Sequence, residues 1–274
     1  MKREALLIGR VGERSIHRVW TAGVNPADRV FDLHYSYYGD AADPFPDRPA
    51  DSTITHDPGA KFPGLSACLD KLGHRLDSYK WICFVDDDIW APYATWRAFF
   101  AVCDELKPSL AQPALMRGSF YSHDITLARP RYVARWTNFV EIMNFCFSRD
   151  FLHKARASFD STESGWGVDY LWARLAQPAE RSLLIVDKTP VLHTRAVGRG
   201  GVYDVLKNGV ASAHEDRITI ARAKPTPITY AAVLPNRSLV EGPGLDKRLY
   251  LASRVRKLRK LLNITRVEPP RRDA

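Results

Sequence analysis

A chain of 274 residues, 45% hydrophobic and 26% charged, is long enough for one large globular domain and excludes a disordered or fibrous protein. No apolar run reaches the ~18 residues of a membrane-spanning helix, and the stretch after Met1 is too short for a secretion signal. The formal charge of +9 is uneven: residues 245–274 hold ten Lys or Arg against three acidic residues, a net +7, so 1–244 carries no broad basic face for nucleic acid.

In chain order, apolar or β-branched runs at 5–9, 30–38 and 52–56 read as strands. Leu65, Cys68, Leu69 and Leu72 follow helical spacing, so 61–73 reads as a helix. The run Trp81-Ile82-Cys83-Phe84-Val85 suits a central strand buried on both faces. A helix over 95–106 and a strand over 109–115 continue the alternation. The fold class is therefore α/β, with a mostly parallel mixed sheet flanked by helices. Farther on, 138–148 reads as a strand and 149–157 as a helix. After a turn-like stretch at 161–167, Val168, Leu171, Trp172 and Leu175 mark one face of a short helix. Residues 183–186 and 190–193 read as short strands, and 196–244 as an irregular wrapping of the body.

From 245 to 262 a last helix is expected, with Leu245, Leu249, Ala252, Val255, Leu258 and Leu262 at helical spacing and a charged, mobile end beyond. The organisation is then a body, 1–244, and a basic amphipathic extension, 245–274. That helix can lie on an anionic membrane surface or dock on the body with its basic face in water. Cys68, Cys83, Cys103 and Cys146 stand singly in apolar contexts, as buried free thiols in a reducing cytoplasm do.

Asp86, Asp87 and Asp88 follow directly on the buried 81–85 strand. Packing three carboxylates together repels and desolvates them, and open α/β sheets bind ligands beyond the carboxyl ends of their strands. A hard divalent cation sharing a ligand's phosphates would neutralise the cluster; a solvated acidic turn is the plainer alternative. His193 ends the run Val191-Leu192-His193, where a lone histidine is usually structural. Asp169, at the start of a helix after Gly165-Trp166-Gly167, reads equally as a partner of the helix dipole or as a proton acceptor. Glu141, in an apolar run with Asn138, needs a partner if buried, as a scaffold ion pair or an acceptor-binding group. Lys61 could contact a phosphate or merely open a helix. The chain contains no GxSxG elbow, Walker A or GxGxxG fingerprint, which disfavours acyl transfer, kinases and Rossmann dehydrogenases.

The order of these segments resembles a family of glycosyltransferase-like proteins of largely unassigned substrate. The likeness runs from the Asp-rich strand end through Leu110-Ala111-Gln112-Pro113-Ala114-Leu115, Asn138-Phe139-Val140-Glu141, Gly165-Trp166-Gly167-Val168-Asp169 and Val191-Leu192-His193, spanning about 61–201. More broadly, the chain looks like the nucleotide-sugar glycosyltransferases of the A fold, with their DxD motif. The resemblance implies that Asp88, with Asp86, touches a metal, that Asp86 and Asp87 face the donor, and that His193 is a late metal ligand. It implies Asp169 as the base of an inverting reaction and Gly9, Arg10 and Lys61 near the nucleotide and its diphosphate. Asn138, Glu141, Trp166 and Gly167 would then line the acceptor side. The sequence departs from the pattern at the base, with Val168-Asp169 in place of paired acidic residues.

The expected function is thus a glycosyltransferase dependent on Mn2+ or Mg2+, using a nucleotide-sugar donor and a glycan or lipid-linked hydroxyl acceptor, with inversion. It would work in the cytoplasm, peripherally at a membrane where a polysaccharide is built. A metal-dependent phosphohydrolase, or a non-catalytic protein binding anionic surfaces or nucleic acid through its tail, are the rivals.

Overall fold

Alternation with a period of two divides the central strands between two cores. In β1 (Ala5–Val11), Leu7 and Val11 join one hydrophobic cluster while Leu6 and Ile8 join the other. In β4 (Trp81–Asp86), Cys83 and Val85 face the first cluster and Ile82 and Phe84 the second. Helices cover both faces. Trp96, Phe99 and Phe100 of α2 (Tyr93–Leu106) fill the first cluster. The second holds Phe62, Leu65 and Leu69 of α1 (Lys61–Leu72), Phe151 and Leu152 of α3 (Arg149–Ala155), and Val168 and Trp172 of α4 (Val168–Leu175). The computed structural model describes residues 3–42, 44–176, 181–196 and 228–241.

The remaining strands are β2 (Phe31–Tyr37), β3 (Thr53–His56), β5 (Ile89–Trp90), β6 (Leu110–Leu115), β7 (Ala134–Thr137), β8 (Asn144–Ser148), β9 (Leu183–His193), β10 (Tyr230–Val233) and β11 (Leu239–Glu241). They are ordered β11-β10-β7-β9-β6-β8-β4-β1-β2-β3, with β5 paired to β9 off this path. Pairings β3–β2–β1–β4 and β6–β9 are parallel, whereas β8 lies antiparallel between β4 and β6. The carboxyl ends of β4 and β9 therefore point to the same edge, where the acidic cluster lies.

The second half corrects three expectations. The single strand expected over 138–148 is β8 alone, because β7 stops at Thr137 and the chain bends across the sheet through 138–143. The bend lets β7 pair with β9 while β8 pairs with β4, which one straight strand could not do. The two short strands expected at 183–186 and 190–193 are one, β9, despite Pro190. Its register against β6 shifts between Pro113 and Leu115, where Pro113 has no N–H to give the ladder. Within 196–244, residues 230–241 are not irregular: β10 and β11 form a hairpin that extends the sheet from β7. The helix expected at 245–262 lies outside the described residues.

All four cysteines are buried and free. Among the described residues, no helix is long and apolar enough to cross a membrane. Ser148 caps α3, its Oγ accepting from the Phe151 N–H at 3.3 Å. Ser148→Ala is expected to cost about 1 kcal/mol in urea unfolding. An unchanged midpoint would show that the cap contributes nothing.

Candidate active site

The turn from β4 into β5 carries Asp87 and Asp88, and β5 pairs Ile89 with His193 and Trp90 with Leu192. This short ladder brings together residues more than a hundred positions apart. His193 Nε2 lies 3.2 Å from Asp88 Oδ2, and His193 Nδ1 is 2.7 Å from the Phe120 carbonyl oxygen. A carbonyl only accepts, so Nδ1 carries a proton; Nε2 donates to Asp88 when the ring is protonated and presents a lone pair beside that carboxylate once the second proton leaves. Burial pulls the His193 pKa down, but hydrogen bonding and charge from Asp88 outweigh it, and the net shift is upward. Asp88 Oδ1 is buried without a hydrogen-bond partner.

The neighbouring carboxylates have other partners. Asp86 accepts from Lys61 Nζ, 2.6 Å from Oδ1 and 2.7 Å from Oδ2, and the same ammonium reaches the Ile142 carbonyl at 2.5 Å. Burial, opposed by Lys61 and reinforced by Asp88, pushes the Asp86 pKa up to about 6. Asp87 has partners of its own: its Oδ2 accepts from the Tyr38 hydroxyl at 2.6 Å and its Oδ1 from Arg195 at 2.9 Å. Each acid of the triplet thus faces its own basic partner, Lys61, Arg195 or His193. This pairing answers how three adjacent carboxylates are tolerated.

Glu141 lies within reach of the charges of Asp169, His193 and Lys61. Glu141 is buried in the 138–143 bend, its N–H donating to Gln112 Oε1 at 2.5 Å, while its Oε2 has no partner. Burial first, and then the charge of Asp169, raise its pKa to about 8 against the opposing pull of His193, a Ser122 hydrogen bond and Lys61. Asp169 sits in the first turn of α4, accepting from the Tyr170 N–H at 2.9 Å. The loop before it depends on glycine. Gly165 (φ +83°) passes so close to Phe62 that a Cβ would lie 2.1 Å from its ring, and Gly167 (φ +87°) starts the helix. Between them Trp166 is 39% exposed, large for an aromatic ring beside buried acids.

The raised Glu141 pKa has a stability consequence with a definite sign. The folded chain holds a proton between the ordinary value near 4.5 and about 8 that the unfolded chain releases. This contribution is fully present below 4.5 and lost as the pH rises through 8. Glu141→Gln is therefore expected to gain stability over the parent as pH rises, reaching the order of a few kcal/mol by pH 8. Parallel urea-stability profiles from pH 5 to 8 would rule this out.

Other expected site residues are engaged elsewhere. Gly9 packs against Trp20, whose ring would lie 2.6 Å from a Cβ there. Arg10 is buried and donates to Ser36 Oγ and to the carbonyls of Asp57 and Gly59, tying β1 to β2 and to the start of α1. Asn138 follows Thr137, which pairs with Leu183 at the opposite end of β9 from His193, and its Oδ1 accepts from the Thr229 N–H at 2.8 Å. Sequence reasoning missed Tyr38, Arg195, Ser122 and Gln112. Only Arg195 left a signal, two residues after a histidine at a strand end.

Among the described residues no group of three or more His, Cys, Asp or Glu is set to hold a metal ion by itself. The donor set nevertheless fits a partly held cation: the buried, unpartnered Asp88 oxygen and the imidazole beside it offer two ligands. The Phe120 carbonyl supplies the outer-shell acceptor that such a histidine needs. Phosphates and water would complete the shell.

No protein-family model matches the sequence, and a search of curated proteins finds no match. Among solved structures, GalNAc-T7 with UDP, GalNAc and Mn2+ superposes with a TM-score of 0.55 at 8% identity, over 80% of this chain and 49% of that one. TarS 1–349 of S. aureus with UDP-GlcNAc gives 0.46 at 12% identity, over 80% of this chain and 71% of that one. This chain spans about half the length of the GalNAc-T7 chain. The likeness to GalNAc-T7 shows a shared α/β fold, in agreement with the fold class expected from the sequence.

Proposed function

We propose that this protein is a metal-dependent glycosyltransferase that moves a sugar from a nucleoside-diphosphate donor to a hydroxyl acceptor with inversion. The observation that carries this reading is the Asp88–His193 pair at the carboxyl ends of β4 and β9, with one buried Asp88 oxygen left unpartnered. Asp88 and His193 would hold Mn2+ or Mg2+, which when bound supplies Lewis-acid stabilisation for a departing nucleoside diphosphate. Asp86, held by Lys61, would face the donor ribose or sugar. The Lys61 ammonium, held by both Asp86 oxygens and the Ile142 carbonyl, would add positive charge near a donor phosphate. Asp169 would take the acceptor proton, Trp166 would close one face of the sugar, and Glu141 would meet the acceptor. A glycan or lipid-linked acceptor suits this arrangement, and the basic 245–262 segment would bring the enzyme to an anionic membrane.

A thermal-shift screen of nucleotide sugars with Mn2+, Mg2+ or chelator tests the donor. Stabilisation by a nucleotide sugar only when metal is present is the expected result. Equal stabilisation in chelator would remove the metal from the reading. Release of the nucleotide sugar's phosphate without any transfer would make the protein a phosphohydrolase.

A further inference from the structure

We propose that Asp87 and Arg195 are a positioning pair that holds Asp88 and His193 in register, and that Asp87 is no donor ligand. The argument starts from the two chain segments that the pairs share. Asp87 and Asp88 are adjacent, and Arg195 lies two residues beyond His193. The contacts Asp87–Arg195 at 2.9 Å and Asp88–His193 at 3.2 Å are thus successive rungs between the same two segments. The backbone adds a third tie, the Asp88 carbonyl accepting from Thr194 through both N–H (3.0 Å) and Oγ1 (2.8 Å).

Asp87 also reaches a different part of the sheet edge. Its carboxylate accepts from Tyr38, just past β2, and its carbonyl accepts from the Ile16 N–H at 2.8 Å, past β1. Arg195 repeats that connection by donating to the Arg14 carbonyl. One carboxylate and one guanidinium therefore fasten the ends of β1, β2, β4 and β9 together. Both Asp87 oxygens already accept a hydrogen bond within the protein, so this carboxylate is oriented by the latch rather than held open for a donor hydroxyl.

Geometry alone favours this role for Asp87, and charge agrees with it. Arg195 pairs with Asp87 and offsets the repulsion between that carboxylate and its neighbour Asp88. Loss of Arg195 would leave a largely buried carboxylate one residue from the candidate ligand. The pair thus acts on ligand geometry rather than on the donor itself.

The test uses the full chain as Asp87→Asn, Arg195→Met and the double variant, with two readouts. Hydrogen exchange of peptides covering Ile16 and Thr194 is expected to quicken roughly tenfold in each single variant. The functional consequence rests on the donor reading above: joint binding of Mn2+ and UDP by calorimetry is expected to weaken about tenfold in each single variant, as for loss of an outer-shell partner. The double variant should be no worse than the poorer single. Unaltered Mn2+ and UDP binding in both singles, even with a lowered melting temperature, would reduce the pair to ordinary scaffold and overturn the proposal. Loss confined to Asp87→Asn, with Arg195→Met unaffected, would make Asp87 a direct ligand and overturn it too. If the parent itself binds no UDP with Mn2+, the donor reading fails. Exchange then decides alone, and unchanged rates at Ile16 and Thr194 would overturn the latch.

Discussion

Replacing Asp88 with alanine is expected to weaken joint binding of Mn2+ and UDP by at least about 100-fold, since outer-shell losses alone cost ~10–100-fold. Asp88 is the carboxylate placed to share a cation with His193, its Oδ2 3.2 Å from Nε2 and its Oδ1 buried without a partner. The fold should survive the change. The ties between this turn and the end of β9 run through the Asp88 carbonyl and the Ile89–His193 pairing, which alanine keeps. His193 also retains its Phe120 contact at 2.7 Å. UDP binding measured in chelator should be nearly equal for parent and variant, because Lys61 and the rest of the cleft are untouched. Undiminished Mn2+-dependent affinity would take Asp88 out of the site.

What could be read in the sequence follows from how local each signal is. The run 81–85 and the helix spacing at Leu65, Cys68, Leu69 and Leu72 are local, and both elements are where they were expected. The break at 138–143 is not local. Phe139 and Val140 are buried there as they would be in a strand, so hydrophobicity carries no mark of the bend. Only the partners of β7 and β8, remote in sequence, dictate it. The site divides the same way. Residues that end a strand in an acidic triplet announce a ligand, but which acid does what depends on residues 25 to 108 positions away. The missing second acid beside Asp169 shows this best. The sequence has valine at 168, yet the fold brings Glu141 close enough for the Asp169 charge to push its pKa up. Burial and that charge keep Glu141 protonated up to about pH 8, so Asp169 is the acid of the two proposed as base.

That division of labour underlies the largest expected effect, on Asp169→Asn. Transfer should fall by ~10²–10⁴-fold, the range for a positioned general base. The α4 N-terminus favours a negative charge, and Asp169 Oδ1 accepts from the Tyr170 N–H at 2.9 Å. Asparagine keeps that acceptor and nearly the same shape but cannot take a proton. The position itself is rigid: Val168 and Trp172 are buried beneath the helix, and Gly165 is packed against Phe62. Nucleotide-sugar and Mn2+ binding should therefore be retained while turnover is lost, which separates the base from the residues that hold the donor. A near-normal turnover number would eliminate Asp169 as the base and turn attention to Glu141. The anomeric configuration of the product decides the rest. A single displacement with one base inverts it, so a product that keeps the donor's configuration would count against the mechanism whatever the variant's rate.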